Sequence, residues 1–270
     1  MNVVENKVPS PYAEPLTKTR SRSPSHLERL VKEVVDGREV SYTDSAALVL
    51  QPVAYSEFNA HNEFKELVAR WTRPDPYSSL DFARLWAMAL NCKRTLEHGS
   101  GALAELGVYR GQSASLLSYY AEKASRKLFL CDTFAGFPEE QFEAEDDRSE
   151  GKRAAFKDVT LEAAKTVVGT YHGVRWVVGA FPESITSEMR DEMYSFVSID
   201  CDIYVPVREG LSFFWPWLQP GGMIFVHDYA SGYWSGATKA VDEFCQETGA
   251  AGCLLPDFCS SFVLISGGRR

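Results

Sequence analysis

The stretch GALAELGVYRGQSASLLSYYAEKA (residues 101–124) decides the fold class of this chain. Residues 101–108 are a short apolar run that enters a glycine-containing turn, which predicts a buried strand. The following part, SASLLSYYAEKA (113–124), has the apolar spacing of a helix. A strand, a tight turn and a helix in this order are typical of the repeating unit of an α/β sheet.

The same alternation continues along the chain. Apolar runs predict further strands at residues 127–134, 174–181, 194–202, 221–229 and 260–266. Amphipathic segments predict helices at residues 78–92, 161–171, 207–218 and 238–249. Strands that alternate with helices predict an α/β fold with an open, doubly wound, mostly parallel sheet.

The sequence before this pattern has a different character. Residues 1–24 are rich in Pro, Ser, Lys and Arg without periodicity, so we predict a flexible tail. Ser25 and Glu28 form a capping-box pattern ahead of LERLVKEVV, which predicts a short amphipathic helix. We therefore expect a tail (1–24), an N-terminal helical extension (25–76) and a sheet domain (77–270).

Composition limits the classes of function. The 270 residues carry a net charge of −9, which argues against a general nucleic-acid surface. No apolar stretch reaches the ~20 residues that span a bilayer, and the N-terminus lacks the apolar segment of a signal peptide. We therefore expect a cytoplasmic protein without nucleic-acid or membrane partners. The sequence is compatible with a homo-oligomer. The six cysteines form no CxxC pair, which excludes zinc-ribbon and thioredoxin sites.

Polar residues follow five of the predicted strands. In open parallel α/β sheets, ligands bind outside the carboxyl ends of the strands. The residues found at these ends are Gly107, Asp132, Gly179, Asp200, Asp202, His227 and Asp228. The sequence therefore predicts a ligand site along this edge of the sheet.

The stretch FVSIDCDIYVP (196–206) ends an apolar run on two acids. If the strand continues that far, Asp200 and Asp202 lie on one face, because side chains alternate along a strand. Two like charges so close raise each other's pKa unless a cation or a shared proton relieves them. The pair thus indicates a metal, a basic partner or a catalytic role, and the alternative is an acidic turn in solvent.

The turn ELGVYRGQSAS (105–115) bears on the cofactor. It contains GxxxG (Gly107, Gly111) and lacks the GxGxxG that cradles a dinucleotide pyrophosphate, which argues against a NAD-dependent oxidoreductase. S-adenosylmethionine, which has an amino-acid tail and no phosphate, fits better. We expect Gly107 to let the backbone approach this cofactor and Asp132 to accept hydrogen bonds from its ribose hydroxyls. Glu105 either contacts the cofactor or supports the loop, and Ser113 is a helix N-cap, a ligand of the methionine carboxylate, or both.

Six segments together resemble a known family. ELGVYRGQSA, LCDTFAGFPE, VVGAFPESI, SIDCDIYVPVREGL, LQPGGMIFVHDY and TKAVDEF follow the order and spacing of the TylF/MycF/NovP-type O-methyltransferases, which include macrocin O-methyltransferase. The resemblance covers about Leu80 to Ile265. It implies a class I methyltransferase fold, S-adenosylmethionine as donor, and a divalent cation, usually Mg²⁺. It also implies methylation of a sugar hydroxyl on a glycoside or sugar nucleotide.

The resemblance further implies residue roles in the acidic cluster. Asp200 corresponds to a metal ligand and Asp202 to a general base, while His227 and Asp228 complete the metal site. An aspartate pair is usual at the last two positions, so His227 departs from the pattern, and an imidazole favours Mn²⁺, Co²⁺ or Zn²⁺ over Mg²⁺. Two alternatives remain: an acceptor with other vicinal oxygens, such as a catechol, and a non-catalytic relative that binds S-adenosylmethionine.

Overall fold

The computed structural model describes residues 82–142, 150–231, 233–257 and 260–267. The predicted tail (1–24) and helical extension (25–76) lie outside the described residues. The helices are α1 (Phe82–His98), α2 (Gln112–Ala124), α3 (Glu150–Arg153), α4 (Leu161–Val168), α5 (Ser187–Arg190), α6 (Tyr204–Phe214) and α7 (Ser235–Thr248), with short 3-10 turns at Glu139–Gln141 and Trp215–Trp217. The strands are β1 (Ala102–Leu106), β2 (Leu128–Asp132), β3 (Val174–Val178), β4 (Tyr194–Ile199), β5 (Leu218–Val226), β6 (Gly252–Leu254) and β7 (Phe262–Ile265).

The strands form one seven-stranded sheet in the order β3-β2-β1-β4-β5-β7-β6. Strands β1 to β5 are parallel, and β7 pairs antiparallel with both β5 and β6. The predicted α/β class with an open, mostly parallel sheet is therefore confirmed. The prediction missed β6, because its three residues are exposed and form no apolar run that would indicate a strand.

Helices cover the sheet in two groups. Helix α1 packs against α2, and α6 packs against α7, while β1 and β4 between them are buried throughout. This is the layering that the alternation of apolar strands and amphipathic helices requires. Within the described part of the chain, no helix is both long and apolar enough to cross a membrane.

The strand order places the site. The chain runs from β1 through β2 to β3 on one side, then returns to add β4 on the other side of β1. Register pairs Leu106 of β1 with Cys131 of β2 and with Ile199 of β4, and it pairs Ile199 with Val226 of β5. The residues after these four positions therefore meet at one edge, which is where open α/β sheets bind ligands.

Candidate active site

A cavity of about 550 Å³ lies at the carboxyl ends of the parallel strands. Seven of the nine site residues predicted from the sequence line it: Gly107, Ser113, Asp132, Asp200, Asp202, His227 and Asp228. Glu105 and Gly111 do not line it. The alternation of strands and helices thus placed most of the site, because parallel strands deliver their ends to one edge.

Asp132 organises the loop after β1. Its Oδ2 accepts hydrogen bonds from the backbone N–H groups of Val108 (2.7 Å) and Tyr109 (2.9 Å). Its Oδ1 accepts one from the N–H of Phe134 (2.7 Å). A carboxylate oxygen has two acceptor positions, so Oδ1 retains one for a ligand hydroxyl.

Neighbouring parts of the chain leave little room for a side chain at the two glycines of the loop, Gly107 and Gly111. A Cβ added to Gly107, at φ +90°, would lie 2.0 Å from the carbonyl oxygen of Asp200. A Cβ on Gly111, at φ +85°, would lie 3.0 Å from a methyl carbon of Val168 on α4. Gly107 therefore lets the β1 loop touch the β4 end, a reason for glycine that the sequence did not show.

Ser113 and Glu105 lie beside this loop. Gly111 is the N-cap of α2, which places Ser113 inside the first turn, so the predicted N-cap role of Ser113 is wrong. Glu105 is fully buried, and no hydrogen bond of normal geometry reaches either carboxylate oxygen. Burial raises the pKa of Glu105 to about 8, although the nearby Ser113 and Ser198 hydroxyls pull the pKa down.

A second cluster lies where β4 and β5 end. Because Ile199 pairs with Val226, Asp200 and His227 leave the two strands side by side. His227 Nδ1 lies 2.8 Å from Asp200 Oδ1 and 2.7 Å from Asp228 Oδ2, but neither contact has hydrogen-bond geometry. One ligand atom from each of these three residues lies within 4.8 Å of the others, which suits a bound cation.

Asp202 differs from the sequence prediction. Strand β4 ends at Ile199, and Asp202 has a left-handed backbone (φ +61°) at the centre of a tight turn in which Ile203 N–H donates to the Cys201 carbonyl at 2.5 Å. The expected same-face pairing of Asp200 and Asp202 along a strand is therefore wrong. Asp202 is brought to the cluster by this turn, in a conformation that aspartate tolerates better than most residues.

The charges of the cluster shift its pKa values. Burial raises the pKa of Asp200, but the positive charges of His227 and Arg84 outweigh it and hold the pKa well below the usual range. Burial and the charges of Asp200 and Asp228 raise the pKa of Asp202. Burial and Arg84 lower the pKa of His227, but contact with Asp200 and Asp228 leaves it raised overall. Asp202 thus holds a proton readily when no cation neutralises its neighbours.

Arg84 is a charged residue of the site that the sequence did not reveal. It lies on α1, lines the cavity, and its Nη1 donates a hydrogen bond of 2.8 Å to Asp200 Oδ2. Within the amphipathic pattern of 78–92, a single arginine is indistinguishable from a solvated one. Only the packing of α1 beside β4 and β5 shows its partner.

One wall of the cavity is aromatic. It includes Phe137, Phe156, Tyr233 and Trp234, with ring centroids of Tyr233 and Trp234 5.2 Å apart. The buried Lys152 ammonium lies 4.1 Å from the Tyr233 centroid and 4.5 Å from that of Trp234, and it donates to the Tyr233 carbonyl oxygen. These cation–π contacts connect α3 to the loop after β5.

Comparison with known proteins gives similar methyltransferases. A Streptomyces olivaceus protein described as 8-demethyl-8-(2,3-dimethoxy-alpha-L-rhamnosyl)-tetracenomycin-C 4'-O-methyltransferase is 26% identical over 141 residues, which are 48% of this chain and 53% of that protein. The match thus spans about half the length of this relative. Its identity is too low and its overlap too short to carry the activity over.

Solved structures show the same fold at low identity. The O-methyltransferase NovP has a TM-score of 0.56 and 20% identity, over 69% of this chain and 80% of its own. The calicheamicin methyltransferase CalS11 has a TM-score of 0.56 and 17% identity, over 91% of this chain and 94% of its own.

The family is decided by the match to a family model. This model, described as Macrocin-O-methyltransferase (TylF), matches residues 31–254. The match begins well before Leu80, so the resemblance reaches further toward the N-terminus than the sequence motifs indicated. Since it covers most of the chain, this protein belongs to the TylF macrocin O-methyltransferase family.

Proposed function

We propose that this protein transfers the methyl group of S-adenosylmethionine to a hydroxyl of a sugar, with the help of a divalent cation. The observation that carries the proposal is that two different acidic centres open into one cavity. Asp132 and the Gly107 loop form the first centre, and Asp200, His227 and Asp228 form the second. One centre suits the cofactor and the other suits a cation beside the acceptor.

The cofactor side supports S-adenosylmethionine. Asp132 retains one acceptor position at Oδ1 for a ribose hydroxyl, because backbone N–H groups occupy the others. Ser113, in the first turn of α2, also lines the cavity, and we assign its hydroxyl to the cofactor's amino-acid tail. Glu105 is buried in β1 beside Ser113 and does not line the cavity, so we assign it a role in supporting the loop.

The second side suits a divalent cation. Two carboxylates and an imidazole Nδ1 converge there, and oxygen ligands suit Mg²⁺ while the imidazole favours Mn²⁺ or a similar ion. When bound, the cation lowers the pKa of a coordinated hydroxyl. Asp202, buried beside Asp200 and Asp228, is the group that we assign to accept the hydroxyl proton. Methyl transfer then requires that the hydroxyl oxygen lies in line with the cofactor's methyl carbon and sulfur.

The acceptor is proposed to be a sugar residue of a glycosylated molecule. The tetracenomycin relative is described as acting on a rhamnosylated compound, and this chain belongs to a macrocin O-methyltransferase family. Tyr233, 61% exposed, and Trp234 offer an apolar wall beside the cation centre. Such a wall suits the C–H face of a sugar ring, whose hydroxyls point sideways toward polar groups.

The test is a methyl-transfer assay with S-adenosylmethionine, Mg²⁺ or Mn²⁺ and a panel of acceptors. The panel contains rhamnosylated and other glycosylated natural products, nucleotide-activated sugars, and catechol as the non-sugar control. We expect S-adenosylhomocysteine and a monomethylated sugar only with glycosyl acceptors that have neighbouring hydroxyls. Methylation of catechol with no reaction on any sugar would reject the sugar assignment, and failure to bind S-adenosylmethionine would reject the whole proposal.

A further inference from the structure

We propose that Arg84 is a built-in positive charge of the cation site, which restrains both the coordination of Asp200 and the affinity for the ion. The inference rests on the cation site proposed above. Arg84 is a positioning residue here, because it acts through Asp200.

The two oxygens of Asp200 have separate partners. Oδ2 accepts from Arg84 Nη1 at 2.8 Å, and Oδ1 faces His227 Nδ1 at 2.8 Å. The cluster of Asp200, His227 and Asp228 therefore has direct access to Oδ1, while the arginine holds Oδ2. A cation held by this cluster would then take one oxygen, Oδ1, from Asp200, because Oδ2 is hydrogen-bonded to Arg84.

Arg84 and the Asp200 side chain that it holds belong to different elements of the fold. Arg84 belongs to α1, whereas Asp200 follows β4, 116 residues later in the chain. Helix α1 packs against β4 and β5, and the Arg84 side chain is only 16% exposed. The contact between Arg84 and Asp200 is therefore largely buried. It differs from an exposed ion pair, in which solvent and flexible side chains weaken the interaction.

Counting charges supports the same role. Asp200, Asp202 and Asp228 contribute three negative charges when ionised, and Arg84 contributes one positive charge. Counting these four described residues alone, a divalent cation with a neutral His227 would bring the summed charge to zero. Without Arg84 the same cluster has one uncompensated negative charge, so it attracts a divalent ion more strongly and tolerates a trivalent ion.

The experiment measures ion affinity, which needs no acceptor. Parent, Arg84→Met, Arg84→Lys and Arg94→Met are titrated with Mn²⁺ by calorimetry and electron paramagnetic resonance, and with Tb³⁺ by luminescence. Arg94, an exposed arginine of the same helix, controls for the loss of one positive charge from α1. We expect Arg84→Met to have an affinity for Mn²⁺ at least about tenfold higher than that of the parent. The increase in affinity for Tb³⁺ should be larger, because that ion has a higher charge. Arg84→Lys and Arg94→Met should stay within about threefold of the parent.

S-adenosylhomocysteine titration separates the possible failures. Unchanged affinity for it in every variant shows that the fold and the cofactor side are intact. Equal or weaker Mn²⁺ binding by Arg84→Met overturns the inference, as does a loss of S-adenosylhomocysteine binding by Arg84→Met with Mn²⁺ unaffected. If neither parent nor Arg84→Met binds Mn²⁺, the cation site and the inference both fail, whereas binding by Arg84→Met alone supports the restraint. Arg84→Gln replaces Arg84→Met if circular dichroism shows that the latter does not fold.

Discussion

Two acids at the same edge of the sheet have opposite surroundings. Asp132 after β2 accepts three backbone N–H groups, so the chain itself satisfies most of its acceptor capacity. Asp202 after β4 is buried among other acids, and their charges raise its pKa. Backbone N–H groups therefore hold Asp132 in place without a bound ion and leave one acceptor position at Oδ1. Among the described residues, the three acids of the proposed cation side outnumber Arg84 and His227, the positive groups beside them, so a bound cation or protons would balance the charge.

The largest effect that sharpens this contrast is expected at Asp202. We expect Asp202→Asn to lower turnover about 10²- to 10⁴-fold, because the amide cannot accept the hydroxyl proton. Its thermal stability should equal or exceed that of the parent, since the neutral amide avoids the free-energy cost of either ionising or protonating a carboxyl group buried among other acids. Turnover and melting temperature are measured beside those of Asp191→Asn, an exposed acid. Near-parent turnover of Asp202→Asn would remove it from the general-base role.

A smaller effect is expected at Gly107, where the loop after β1 touches the end of β4. A Cβ at Gly107 would lie 2.0 Å from the Asp200 carbonyl oxygen, so Gly107→Ala must displace the β4 end or the β1 loop. We expect the free energy of unfolding to fall by about 2 kcal/mol or more. Gly169→Ala is the matched control, because Gly169 has the same φ of +90° with nothing within 4 Å of its added Cβ. Chemical denaturation of the two variants compares them, and equal losses would show that backbone strain alone explains the effect.

A third effect concerns the pH dependence of stability at Glu105, a buried acid without a hydrogen bond of normal geometry. Its pKa rises from an ordinary value near 4.5 to about 8, so the folded state retains a proton that the unfolded state has lost. Between pH 4.5 and 8 the folded state therefore binds more protons, and its stability falls as pH rises, by at most about 1.4 kcal/mol per pH unit. Glu105→Gln should remove this slope. If the free energy of unfolding changes with pH between 5 and 8 in the same way in parent and variant, Glu105 does not have the raised pKa.

Much of the fold was predictable because its signals are local. Short apolar runs and helical spacing lie within single segments, so they gave the five parallel strands, and parallel strands must share an edge. The acids and the histidine at that edge followed directly. The prediction placed too many residues in β4, since an apolar run does not show that the backbone leaves the strand after Ile199 and turns at Asp202.

The missing parts of the site depend on contacts between distant segments. Arg84 meets Asp200 only after α1 packs beside β4, and nothing within FARLW distinguishes it from a surface arginine. Lys152 ends the charged stretch EEQFEAEDDRSEGK (139–152), whose composition favours solvent, yet it is buried against Tyr233 and Trp234. Such pairings require the folded arrangement, because local propensity contains no information about them.

In the proposed mechanism, one cavity has a cofactor side and a separate cation side. The most direct measurement is calorimetric titration of S-adenosylhomocysteine and of Mn²⁺ into the parent, Asp132→Ala and Asp228→Asn. We predict that Asp132→Ala loses about ten- to a hundredfold in S-adenosylhomocysteine affinity and binds Mn²⁺ as the parent does, because it removes charged hydrogen bonds on one side only. Asp228→Asn should lose affinity for Mn²⁺ and bind S-adenosylhomocysteine as the parent does. If each variant weakens both ligands equally, or if neither variant weakens either ligand, the two-sided account of the cavity is contradicted.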